Sequence, residues 1–293
     1  MGHEFLGTIE ECGPGLHDIR PGDRVLAPFS TSCGECSFCE RGLTARCELG
    51  QLFGWIEEGR GLHGGQAAYV RVPLADTSLV KMPDAIDPEA ALFAGDILAT
   101  GLFAADMGGV SPGASVAVLG CGPAGLMAVA ACRHRGADRV LAVDPVLERR
   151  RLAERFGAES FDSDRETVEK ILEATQGVDV VLEMAGSPEA TRLAVDLLRP
   201  GGTLAAAGVH TETEFAFSPA EAYDKNLTYR AGRCSVRSYM DEALELAAKE
   251  AADLTRIITD REPLAEAAAA YRRFDRREHG CVKVLLIPGA PAR

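Results

Sequence analysis

The sequence predicts an α/β protein in which a compact β domain carrying a sulfur-bound metal lobe is followed by a doubly wound parallel sheet. Three observations predict it. Four cysteines, Cys33, Cys36, Cys39 and Cys47, fall within fifteen residues. Short strands and turns fill the chain to about residue 85, and from about residue 114 apolar strands alternate with longer helical segments. The turn Gly120-Cys121-Gly122-Pro123-Ala124-Gly125 joins the first of those strands to the first of those helices.

In the first region, strands are expected at 7–12, 24–28, 66–72 and 79–82, separated by Pro-Gly, Gly-Gly and Gly-Arg-Gly punctuation. Asp87-Pro88-Glu89 supplies an N-cap, a proline suited to the first helical turn and an acid near the positive helix end, so a helix begins there. Beyond it, 115–120, 139–144, 179–185, 202–208 and 226–231 read as buried strands, with helices near 123–135, 146–156, 165–176 and 188–198 between them. A helix at 239–250 is expected to close this sheet, and a tail from about residue 255 carries a helix at 263–274 and a strand at 282–287. No internal repeat interrupts the pattern.

Thiolates are soft, compact ligands, and two-residue gaps let successive sulfurs turn inward to one tetrahedral centre at about 2.3 Å, as a closed structural zinc site requires. A disulfide cluster and free buried cysteines are the rival readings. A chain of 293 residues does not need disulfides to hold a small core. The other cysteines (Cys12, Cys121, Cys132, Cys234, Cys281) are scattered singly and read as small apolar fillers.

The length corresponds to two ordinary domains, and 46% hydrophobic with 26% charged residues is the balance of a globular protein. A formal net charge of −13 argues against nucleic-acid or anionic-membrane partners, which need a basic surface, and leaves small-molecule chemistry. Residues 1–20 lack a basic segment followed by an apolar run, and no stretch approaches the roughly 18 apolar residues of a spanning helix, so a cytoplasmic protein is expected.

In the glycine turn, Gly120 allows the tight bend, Gly122 lets the backbone approach a pyrophosphate, and Gly125 lets helix and strand pack closely; Pro123 and Ala124 open the helix whose N-terminus faces the anion. Asp144 ends the next strand, where it would accept hydrogen bonds from the adenosine ribose and repel a 2′-phosphate, favouring NAD over NADP. A packing turn without a ligand is the rival reading. Arg149, Arg150 and Arg151 could offset the aspartate, although such a run is more often a solvated helix face.

These sites, together with Gly2-His3-Glu4 and Gly7, the turn Pro21-Gly22-Asp23-Arg24-Val25, Gly64-Gly65-Gln66-Ala67-Ala68-Tyr69 and Gly95-Asp96-Ile97-Leu98-Ala99-Thr100-Gly101, resemble the zinc-containing medium-chain alcohol dehydrogenases. The Gly95–Gly101 stretch is similar to the branch containing formaldehyde and threonine dehydrogenases. The resemblance implies a Rossmann domain (98–255) inserted in a GroES-like catalytic domain (1–97 with 256–293) that carries the structural zinc lobe. It implies His3, Glu4 and Asp96 at a catalytic zinc, Thr100 and Val209 beside the cofactor, NAD as hydride acceptor and a small alcohol or aldehyde as substrate. A homo-oligomer, dimer or tetramer, joined near 226–231 is also implied.

Taken alone, His3 also reads as a terminal residue, Glu4 as a surface acid and Asp96 as a turn cap. Family members carry several tens of residues before Gly-His-Glu, including a cysteine ligand of the catalytic zinc, whereas this sequence starts at the motif. Two expectations follow. Either the start is misassigned and the complete protein is an ordinary dehydrogenase, the favoured reading, or the product is a non-catalytic remnant that binds zinc and NAD. Nothing in the spacing recommends His63 or Cys12 as a substitute ligand.

Overall fold

A computed structural model describes residues 1–289. The chain divides into two compact units, one formed by Met1–Ala99 together with the segment from Ser235 onward, the other by Thr100–Cys234.

The first unit opens with β1 (Phe5–Thr8), β2 (Arg24–Ala27), helix α1 (Ser37–Glu40), the hairpin β3 (Trp55–Glu57) and β4 (Arg60–Leu62), α2 (Ala75–Ser78), β5 (Val80–Lys81) and α3 (Pro88–Leu92). Strands β1, β2 and β5 form an antiparallel sheet in the order β1-β2-β5, with Phe5 opposite Ala27 and Val25 opposite Lys81. Its apolar face buries Ile19, Val25, Ala27, Ala75 and Leu79, with Phe5, Ile9 and Val72 packed against them. Helix α3 starts as its sequence dictates: Asp87 Oδ1 accepts from Glu89 N at 2.8 Å and Ala90 N at 3.4 Å, with Pro88 in the first turn.

The segment 66–72 is not a strand. At its entry Gly65 N donates to Gly2 O and Gln66 N to Met1 O, and the residues that follow join no sheet. The hairpin β3–β4 lies in a glycine-rich stretch whose sequence carries no alternation to reveal it.

Helix α4 (Ile97–Gly108) contains the boundary between units. The second unit then alternates β6 (Ser115–Leu119), α5 (Pro123–His134), β7 (Arg139–Val143), α6 (Leu147–Arg155), β8 (Glu159–Phe161), α7 (Arg165–Thr175), β9 (Val178–Glu183), α8 (Pro188–Leu197), β10 (Leu198–Ala206), α9 (Pro219–Asp224) and β11 (Thr228–Ala231). The strands form one parallel sheet in the order β11-β10-β9-β6-β7-β8, with Val116 opposite both Val140 and Val180. Its interior is a run of branched apolar side chains, including Leu119, Leu141, Val181, Val195, Leu198 and Leu204. Strand β8 is only three residues long, too short to stand out from sequence.

The chain then returns to the first unit with α10 (Val236–Leu254), β12 (Ile258–Pro263), α11 (Ala267–Arg276) and β13 (Lys283–Ile287), where β12 and β13 pair in parallel. Helix α10 corrects an expectation. It does not close the second unit's sheet but packs on α3 and the turn Phe93–Gly95, within the first of the two compact units. Its buried face, with Val236, Met240, Ala243, Leu244 and Ala247, meets a fully buried surface of small residues, Ala90, Ala91 and Ala94, beside Phe93. Close packing of a long helix favours such flat partners. Among the described residues no single helix is long and apolar enough to cross a membrane.

Candidate active site and cofactor turn

Two clusters of metal-type donors lie in the first unit. In the first, the sulfurs of Cys33, Cys36, Cys39 and Cys47 lie within 4.8 Å of one another, with Cys33 Sγ 4.0 Å from Cys39 Sγ. The edge of a zinc–sulfur tetrahedron with bonds of 2.3 Å is about 3.8 Å, so these sulfurs sit close to a tetrahedron's corners and far from the ~2.0 Å of a disulfide. All nine cysteines are free.

Backbone donors point at the cluster. Cys33 N approaches Cys47 Sγ at 3.2 Å and Cys36 N approaches Cys33 Sγ at 3.3 Å. The N–H of Glu48, then that of Cys39, lowers the Cys36 thiol to about 6, whereas burial pushes Cys39 up to about 12 and raises Cys47. One thiolate is thus prepared and its neighbours resist ionisation until a cation arrives, as a tetrathiolate zinc site requires. The lobe is braced from α10: Ala45 N donates to Ser235 Oγ at 3.3 Å and Ser238 Oγ donates to Gly42 O at 2.8 Å.

The second cluster joins residues from opposite ends of the N-terminal segment. His3 Nε2 lies 3.0 Å from Asp96 Oδ2, and a carboxylate oxygen of Glu4 lies with them inside 4.8 Å. His3 precedes β1, and Asp96 sits where the turn Phe93–Gly95 ends before α4, at a φ of −158°. The Asp96 hydrogen bond raises the His3 imidazole above its ordinary range, against burial, which lowers it. Glu4 is also held from behind, since Lys283 Nζ on β13 donates to its two oxygens at 2.6 and 2.5 Å. One imidazole and two carboxylates are an open, borderline-hard set that suits zinc with a free position. Neither Cys12 nor His63 joins a donor cluster among the described residues.

In the second unit, the glycine turn has the shape its sequence implies. Gly120 has φ +90°, and a Cβ there would come within 2.9 Å of Ala185. A Cβ on Gly125 would strike Gly120 O, whereas at Gly122, the N-cap of α5, it would meet nothing within 4 Å. Two glycines are thus needed for packing and the middle one faces open space, the cradle a pyrophosphate would fill.

Asp144 is buried, with Oδ2 accepting from Cys121 N at 2.7 Å and Oδ1 from Val146 N at 2.8 Å. The arginine run is not wholly a solvated face: Arg149 Nη1 lies 3.7 Å from Asp144 Oδ2, and Arg150 bonds Asp162 and the Asp144 carbonyl. Thr100 lies in α4, half-buried, and Val209 lies just beyond β10, 84% exposed.

Residues 1–84 match the alcohol dehydrogenase GroES-like domain and residues 123–249 match the zinc-binding dehydrogenase domain. The chain is 34% identical to an uncharacterized zinc-type alcohol dehydrogenase-like protein of Bacillus subtilis, across 98% of this chain and 85% of that one. It belongs to the zinc-containing medium-chain alcohol dehydrogenase family. Zinc-type alcohol dehydrogenase B of Aspergillus flavus is 39% identical over 94% of this chain, which spans only 66% of that relative's length. The alcohol dehydrogenase TADH from Thermus sp. ATN1 superposes with a TM-score of 0.92 at 40% identity, over 98% of this chain and 84% of that one. The fold is therefore the α/β one expected, a GroES-like domain and a Rossmann-type sheet, and the family's cofactors are zinc and a nicotinamide dinucleotide.

Sequence reasoning missed three residues around these sites: Lys283, Glu183 and His210. Glu183 left the clearest signal, a carboxylate ending the otherwise apolar strand β9.

Proposed function

We propose that the chain oxidises a small primary or secondary alcohol, or reduces the matching carbonyl compound, using NAD. The observation that carries this reading is the convergence of His3, Glu4 and Asp96, a mixed nitrogen and oxygen donor set in a chain of this family. When bound there, zinc supplies Lewis acidity at the substrate oxygen and NAD accepts the hydride.

His3 and Asp96 orient one another, and Lys283 fixes the Glu4 carboxylate, so the donors are aimed before any ligand arrives. The cysteine cluster takes a structural role, holding residues 33–47 through four sulfurs. Gly120, Gly122 and Gly125, with Pro123 and Ala124, would receive the pyrophosphate on the first turn of α5. Each Asp144 oxygen accepts a single backbone N–H and keeps a lone pair for a ribose hydroxyl. Its charge opposes a 2′-phosphate, which supports NAD over NADP, with Arg149 as a partial counterweight. Thr100 is assigned to the cofactor and Val209 to its nicotinamide half. Strand β11, an exposed sheet edge beside the Phe215, Phe217 and Tyr229 rings, supports a homo-oligomer, and a cytoplasmic setting fits the chain.

Metal analysis of purified protein, followed by alcohol-dependent NADH absorbance over a panel of small alcohols, tests the reading. Zinc at both clusters with turnover is expected. Zinc at the cysteines alone, with no turnover on any alcohol, would leave a protein that binds but does not catalyse.

A further inference from the structure

Glu183, at the carboxyl end of β9, is fully buried, and neither metal cluster nor glycine turn uses its side chain. Its acceptors are nonetheless all engaged. The backbone carbonyl takes Ala207 N at 3.0 Å and Gly208 N at 2.9 Å, and Oε1 takes Ala185 N at 2.9 Å and Gly186 N at 2.7 Å. Oε2 lies 2.8 Å from Nε2 of His210, whose other ring nitrogen lies 3.2 Å from Glu212 Oε2. One residue therefore ties the loop after β9 to the loop after β10.

The loops also interlock through their backbones. A Cβ on Gly186 would lie 2.5 Å from Val209 O, and one on Gly208 would lie 2.4 Å from Gly186 N and 2.6 Å from Glu183 Oε2. Their place in the sheet gives this a purpose. In the order β11-β10-β9-β6-β7-β8 the winding reverses between β6 and β9, and ligands of such sheets bind beyond the strands' carboxyl ends at that point. The β9 loop lines it, since Met184 N donates to Leu119 O at 2.9 Å and Ala185 crowds Gly120. The β10 loop rests on the β9 loop and presents the exposed Val209.

We propose that the Glu183–His210 pair is a positioning device for the nicotinamide dinucleotide: it locks the loops after β9 and β10 together and so sets where Val209 meets the cofactor. The inference rests on the cofactor reading above. A carboxylate buried with an imidazole partner has one favourable arrangement, because leaving either group unpaired is costly, so the loops are held in register before the cofactor binds. Preorganisation of this kind appears in cofactor affinity rather than in alcohol affinity.

The test is fluorescence titration of NADH, with KM for NAD and for the alcohol, on the wild-type chain and on His210→Ala, His210→Gln and Glu183→Gln. His210→Ala should weaken NADH binding and raise KM for NAD by about tenfold, with KM for the alcohol unchanged. His210→Gln, whose amide N–H reaches the place of Nε2, should recover most of the loss. Glu183→Gln keeps an acceptor for Ala185 and Gly186 and should fall between them. Unchanged NADH affinity in His210→Ala overturns the proposal, as does failure of His210→Gln to rescue alongside an equal fall in melting temperature, which marks packing alone. A wild-type chain that binds no NADH overturns the cofactor reading itself, and this inference with it.

Discussion

The two donor clusters of the first unit are built on opposite plans. Cys33, Cys36, Cys39 and Cys47 are local in sequence, uniform in chemistry and ringed by backbone N–H groups that approach the sulfurs. His3, Glu4 and Asp96 span 93 positions, mix nitrogen with oxygen, and include a carboxylate already shared with Lys283. Four like donors close a coordination sphere, whereas three mixed donors leave a position open. The first arrangement holds chain, and the second is suited to chemistry.

Replacing Cys47 with serine breaks the closed plan and carries the largest expected effect. Loss of one thiolate should release the metal and lower the melting temperature by about 10 °C, as expected for a loss of ~3–5 kcal/mol, with calorimetry and zinc content as the readout. Asp96→Ala attacks the open plan instead. Turnover should fall roughly a hundredfold or more while melting is nearly unchanged, because Asp96 faces the His3 and Glu4 donors rather than an apolar core. A large thermal loss in Asp96→Ala would erase the distinction between the clusters.

Lys283→Met sharpens the contrast by freeing Glu4. Removing the ammonium that aims the carboxylate should weaken zinc at the open cluster by about tenfold, measured by competition with a chelator, and leave the cysteine cluster alone. Acidity separates the two more gently. The Cys36 thiol, lowered to about 6, keeps its charge until the pH falls through that value, whereas the raised His3 imidazole still holds a proton somewhat above its ordinary 6.5. Four thiolates also hold zinc more firmly than one imidazole and two carboxylates, so dialysis over a falling pH series should strip zinc from His3 before the cysteines. In metal-free protein the His3–Asp96 pair contributes stability below pH 6.5 and loses it as the pH rises through the raised value. A His3→Gln variant should lack that slope in melting temperature.

The same contrast explains what could be read in advance. The cysteine cluster was legible because its ligands lie in one short segment, and the glycine turn because strand, turn and helix are consecutive. Residues 3 and 96 met on the page only through resemblance to a family, since no local rule links positions so far apart. Lys283 and His210 were out of reach for a related reason: each gains its partner from another strand, and a lone lysine or histidine in sequence is most often a surface group. The affiliation of α10 failed differently. An amphipathic pattern reveals that a helix has an apolar face, but not which body covers it, and the cover proved to be Ala90, Ala91, Phe93 and Ala94. At 66–72 apolar residues between turn signals read as a strand, but no partner strand among the described residues lies beside them to complete a ladder.

The brace between Ser235 and Ala45 joins positions 190 residues apart. On a ribosome adding about 5–20 residues each second, the cysteines therefore emerge roughly 10–40 s before their outer support has been made. During that interval they meet the cell's metals and oxidants on an unfinished scaffold. Any metal taken up in that interval is held by the sulfurs and their local backbone donors, without the brace from Ser235.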